Sequence, residues 1–141
     1  MLTVKNQITF SCDLNNLQMV RDFVRQELNK NSLSEITKNQ IVLAIDEVCS
    51  NLIIHSNKED ESQEIALSLE ILKTPQGIAI ELKENGLSFD YLQYSEPIIE
   101  DLVEQRSNGN MGLMLVRRIM DEIEYIKQGN QNICRLYKNL A

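Results

Sequence analysis

Apolar residues recur along the chain with two periods, and each period predicts an element. Between Val4 and Ser11, β-branched and aromatic residues interleaved with polar ones predict a first strand, whose polar content suits a sheet edge. Asp13 then offers a helix cap. Over residues 14–28 the positions Leu14, Leu17, Val20, Phe23, Val24 and Leu28 follow helical spacing. Arg21 and Arg25 stand one turn apart on another face, either as a solvated flank or as a docking contact for an acidic surface. Polar residues 29–32 break the pattern, and Ser32 with Glu35 has the spacing of a capping box that opens a long helix ending near Ser56. Within it Ile41, Ile45, Val48 and Leu52 define a buried face. Glu47, Asn51 and His55 recur every four residues as a polar stripe about a quarter-turn to its side. That spacing suits the rim of any amphipathic helix as well as a cleft wall, and a lone histidine at a helix end also suits packing or capping.

Downstream the period changes to two. Ile65, Leu67, Leu69 and Ile71 alternate with more polar residues, TPQG makes a turn, and Ile78, Ile80 and Leu82 alternate again, which predicts an antiparallel hairpin running into Glu84-Asn85-Gly86. Residues 87–110 have weak periodicity, one proline and a short helical patch at 98–103, and a segment of this length inside a domain reads as a lid. Gly109 and Gly112 precede a helix built on Leu113, Val116, Ile119 and Met120, and residues 123–127 and 133–138 predict a closing strand pair. A glycine-bearing loop entering a helix offers unpaired N–H groups and a positive dipole end that suit phosphate, although glycine there can also be simple punctuation.

Composition narrows the classes. The 141 residues are 43% hydrophobic and 25% charged, as in an ordinary globular protein, and point to a single domain over residues 1–141. A net charge of −7 argues against broad binding to a nucleic-acid backbone, so an anionic ligand must be held locally. Cys12, Cys49 and Cys134 are odd in number and lack metal-ligand spacing, which predicts buried free thiols in a reducing compartment. With no basic-then-apolar leader pattern and no apolar run of membrane-spanning length, the expected location is the cytoplasm, away from membranes.

The order of the motifs carries a resemblance. A helix with E-x-x-x-N, a strand ending in an acidic-x-Gly turn, a lid, N-G-N-M-G-L opening a helix, and a strand pair together resemble the GHKL ATPase fold. Within it the chain is similar to the anti-sigma-factor serine kinases. LAIDEVCSNLIIHS matches that family's first box and MGLMLVRRIMDEIEY its second glycine box, and the likeness covers nearly the whole chain. The resemblance implies an α+β two-layer sandwich of the Bergerat type: a mixed, largely antiparallel sheet with helices on one face. It implies ATP and Mg²⁺ as cofactors, Glu47 as general base and Asn51 as the metal ligand. It also implies nucleotide contacts at Glu84, Gly86, Arg106, Gly109, Met111, Gly112 and Asn132. Two of these depart from the family pattern: Glu84 stands where aspartate usually meets the adenine amino group, and Asn132 where threonine is common. The implied function is an ATP-dependent protein serine/threonine kinase that binds a sigma factor and phosphorylates an antagonist, acting as a homodimer. The alternative is a non-catalytic partner-switch module that binds nucleotide without turnover.

Overall fold

The computed structural model of the chain describes residues 4–73, 75–85 and 110–140. The expected lid, apart from its last residue, and the implied contacts Gly86, Arg106 and Gly109 lie outside the described residues. Strand β1 (Val4–Ser11) leads through a 3-10 turn, Leu14–Asn16, to α1 (Leu17–Leu28) and α2 (Glu35–Asn51), which continues into a π-helical turn, Leu52–Ser56. Then come β2 (Glu64–Lys73), β3 (Gln76–Glu84), α3 (Asn110–Ile119), β4 (Glu122–Gln128) and β5 (Gln131–Asn139).

The sheet runs β1-β2-β3-β5-β4, and all four pairings are antiparallel, purer than the mixed sheet expected. β1 is an edge strand, as its polar content predicted. Side chains alternate across a strand, so register decides which residues share a face. One row across all five strands reads Ile8, Leu67, Leu82, Cys134 and Tyr125, and it belongs to the inner face. The adjacent row on the other face reads Gln7, Ser68, Glu81, Arg135 and Glu124, with Arg135 donating to Glu81 at 2.9 Å. Among the described residues, helices cover only the inner face. Their buried residues Val20, Val24, Leu28, Ile41, Ile45, Val48, Leu113 and Val116 pack on it, each large aliphatic side chain stabilising the fold by about 1.5–3 kcal/mol. In the β4–β5 turn, Gly129 adopts φ 63°, the positive value that tight hairpins need and glycine supplies without a Cβ clash.

Local chemistry moves two helix starts. Ser34, not Ser32, caps α2, its Oγ accepting from the Thr37 amide at 3.1 Å. Asp13 caps as expected, but only the 3-10 turn, so the helix expected over 14–28 begins in earnest at Leu17. The two arginines of α1 act as braces: Arg21 meets Asp46 of α2 at 2.6 Å and Arg25 donates to Asn39 at 3.0 Å. Part-exposed pairs of this kind contribute about 0–1 kcal/mol.

The three cysteines are buried free thiols. Burial and, next, the charge of Glu84 push Cys12 up to about 11 and Cys134 to about 12, and burial raises Cys49 as well, so none is a reactive thiolate at neutral pH. Among the described residues no helix is long and apolar enough to cross a membrane.

A buried carboxylate fastens the edge strand. Glu27 of α1 accepts from Asn6 Nδ2 of β1 at 2.7 and 2.8 Å and from Lys30 at 2.9 Å. Burial pushes its carboxyl upward, but the hydrogen bonds from Lys30 and Asn6 outweigh it and hold the pKa below the ordinary range. A carboxylate lowered on folding adds stability above its unfolded pKa of about 4.3 and loses it as pH falls through the folded value. We therefore expect the thermal midpoint of Glu27→Gln to lie below the parental one near neutrality. The gap should narrow as the pH is brought below about 4, and a gap independent of pH in a calorimetric series would refute the assignment.

Candidate active site

Glu47 and Asn51 stand one turn apart near the C-terminal end of α2, and tertiary packing supplies the wall they face. Glu47 is half-buried, and its carboxyl is raised above the ordinary carboxylate range, first by burial and then by the charge of Asp46. It lies against Gly112, in the first turn of α3. An ideally placed Cβ at Gly112 would fall 2.7 Å from Glu47 Cδ and 3.3 Å from Cγ and overlap the carboxylate oxygen Oε2. The E-x-x-x-N stripe and the second glycine box thus meet through one carboxylate and one missing side chain. Of Met111 only the backbone position, in the same first turn, is described.

Asn51 is 5% exposed and donates Nδ2 to the Glu47 carbonyl at 2.9 Å. That bond occupies the donor end of the amide and leaves the oxygen as the end available to a hard cation, which takes oxygen ligands. The donor set therefore fits the role implied for Asn51.

His55 does not complete the stripe. Beyond Asn51 the hydrogen bonding changes from α to π, which underwinds the helix and breaks the four-residue line. His55 is exposed, while Ser56 and Asn57 are turned inward at 1% and 4% exposure. The chain leaves this turn through Lys58 and Glu59 at φ 55° and 57°, left-handed conformations that cost non-glycine residues about 1–2 kcal/mol each.

The inward turn feeds a polar cluster at the end of β3. Alternation through Ile78, Ile80 and Leu82 carries Glu84 to the inner face, where it is 2% exposed and registered opposite Asn132 of β5. Glu84 Oε1 accepts from Ser56 Oγ at 3.0 Å and from Asn132 Nδ2 at 3.0 Å, and Oε2 accepts from Asn57 Nδ2 at 3.2 Å. The two residues implied to read the base are thus brought together and bonded to each other. Asn57 Oδ1 is buried with no hydrogen-bond partner among the described residues, a position that calls for a water or a polar ligand atom. Ser56 and Asn57 were missed in the sequence because their partner lies 27 or 28 residues away. The period-2 pattern that predicted β3 did already carry the signal that Glu84 faces inward.

A hollow of about 300 Å³ opens elsewhere, on the outer face of the sheet between Ser68, Ala79, Glu81 and Arg135. It does not include the stripe, and the candidate site is marked by the chemistry of Glu47, Asn51 and Gly112.

Residues 10–138 match the histidine kinase-like ATPase domain. The chain belongs to this family. It is similar to the serine-protein kinase RsbW of Bacillus subtilis, with 28% identity over 85 residues, covering 57% of this chain and 52% of that protein. RsbW of Bacillus licheniformis is 32% identical over 90 residues, again covering 57% and 52%. The chain thus spans about half the length of these relatives. Among solved structures, the RsbU and RsbW domains of Rv1364c from Mycobacterium tuberculosis share the fold. The TM-score is 0.69 at 15% identity, over 96% of this chain and 32% of that one. The SiaB–SiaC complex from Pseudomonas aeruginosa gives a TM-score of 0.62 at 8% identity, over 94% and 88%. The histidine kinase-like ATPase assignment accords with the antiparallel sheet covered by helices on one face.

Proposed function

We propose that the chain is an ATP-dependent protein serine/threonine kinase of the anti-sigma type, which binds a sigma factor and phosphorylates an antagonist protein. The observation that supports this most is the seat of Glu47: a carboxylate of raised pKa, lodged against Gly112 and one turn from the amide of Asn51. ATP with Mg²⁺ would supply the transferable phosphoryl group, with Asn51 Oδ1 as the protein's ligand to the cation. Glu47 receives the proton of an acceptor hydroxyl, and the partial burial that raises its pKa makes it a stronger base than a solvated carboxylate. The fixed amide of Asn51 holds its oxygen in place without reorganisation. The outer edge of β1, which no other described strand pairs with, supports a homodimer, which light scattering at micromolar concentration reads directly: a monomer there would count against it.

A second reading, a partner-switch module that binds nucleotide without turnover, draws support from the base end of the site, where Glu84 already accepts a hydrogen bond from Asn132 Nδ2. Calorimetric titration with ATP and Mg²⁺, paired with transfer of labelled γ-phosphate to an antagonist encoded beside this chain, separates the two. The kinase reading expects Mg²⁺-dependent binding and label on a serine or threonine. Binding without label favours the switch, and the absence of both removes the nucleotide site altogether.

A further inference from the structure

We infer that Gly112 is a positioning residue for Glu47: the side chain it lacks is the space in which the Glu47 carboxylate sits. The inference rests on the kinase reading for its effect on transfer, whereas the seat itself is geometric. By resemblance Gly112 belongs to a phosphate loop, a role in which backbone N–H groups matter. The structure adds a different demand on the same residue. Gly112 is buried in the first turn of α3, and a Cβ there would occupy the position of Oε2 and approach Cδ to 2.7 Å. What it would displace is the far end of a flexible side chain, so alanine is accommodated by moving the carboxylate and not by moving α2 or α3. The backbone favours the substitution, since alanine is a better helix former than glycine. The domain is expected to fold, with the base out of place.

On leaving the seat, Glu47 exchanges a half-buried site beside Asp46 for water. The charged side chain that acts on it in the seat is Asp46, its neighbour on α2.

The test is the Gly112→Ala variant in the full chain, followed by carbon-detected NMR of the Glu47 side chain at fixed neutral pH without nucleotide, and by phosphoryl transfer where the parent supports it. Gly112→Ala is expected to shift the Glu47 side-chain carbon resonances, because the added Cβ takes the place of the carboxylate. Transfer should fall by about a hundredfold or more, the scale of a lost general base. In a Glu47→Gln background the same substitution should cause little further loss, because both changes remove one function. Unchanged Glu47 side-chain resonances in Gly112→Ala overturn the inference, as does a full additional loss in the Glu47→Gln background. Shifted Glu47 resonances in a protein whose parent transfers no phosphate keep the seat and overturn only the kinase reading. Should Gly112→Ala fail to fold, Gly112→Ala with Glu47→Asp decides. Shortening the acid clears the overlap, so the pair is expected to melt no lower than Glu47→Asp alone, and a lower midpoint overturns the inference.

Discussion

Glu47→Gln is expected to fold, to bind ATP and Mg²⁺ nearly as the parent does, and to transfer phosphate about two to four orders of magnitude more slowly. Glutamine preserves the size of the side chain and one acceptor oxygen, so it fits the space over Gly112 that admits glutamate. It cannot take a proton from an acceptor hydroxyl. The separation of binding from chemistry is what identifies a base, because a residue that only holds nucleotide loses both together. The pH profile offers an independent check. Glu47 acts as a base only when ionised, so activity is present above its pKa and is lost as pH falls through it. Burial and Asp46 raise that pKa, which places the acidic limb of kcat/KM above the ordinary carboxylate range. Single-turnover transfer at parental rate in Glu47→Gln would refute the assignment of Glu47 as base.

Glu84→Ala is expected to lower the thermal midpoint on the order of 10 °C, a loss of about 3 kcal/mol or more. Glu84 is 2% exposed and accepts hydrogen bonds from Ser56, Asn57 and Asn132. Removing the acceptor strands those buried donors, and each stranded donor costs about 1–3 kcal/mol. The loss would propagate to the end of α2, because Ser56 and Asn57 are the residues that the π-helical turn directs inward. Glu84→Gln should be milder: it keeps one acceptor oxygen while turning an amide toward a donor. Calorimetric melting of the two variants reads the order directly. A parental midpoint for Glu84→Ala would mean that the carboxylate does not hold this end of the fold together and is free to meet a base, as the family resemblance implied.

Both predictions hinge on residues whose elements were legible in the sequence and whose partners were not. Periodicity located β1, β2, β3, β4 and β5 because each strand buries alternate residues, and a period of two survives in the sequence whatever the strand pairs with. The polar content of β1 marked it as an edge for the same reason: a strand with a single neighbour tolerates exposed polar positions. The stripe of Glu47 and Asn51 was legible because four-residue spacing is a property of the helix alone. His55 fell out of it when α2 changed to a π turn at Leu52. Ser32 and Ser34 both satisfy the local rule for a helix cap, and the choice between them was settled by where α2 begins.

Taken alone, then, the sequence determined the kind and order of elements, the face each buries, and the motif order that resembles one ATPase family, because these depend on residues close along the chain. Tertiary structure decided the rest. Only the β3–β5 register sets Asn132 against Glu84, only the π turn brings Ser56 and Asn57 to the same carboxylate, and only the packing of α3 on α2 makes Gly112 the seat of Glu47. Each of these joins side chains far apart in sequence, and local periodicity carries no record of which distant residue fills the space opposite.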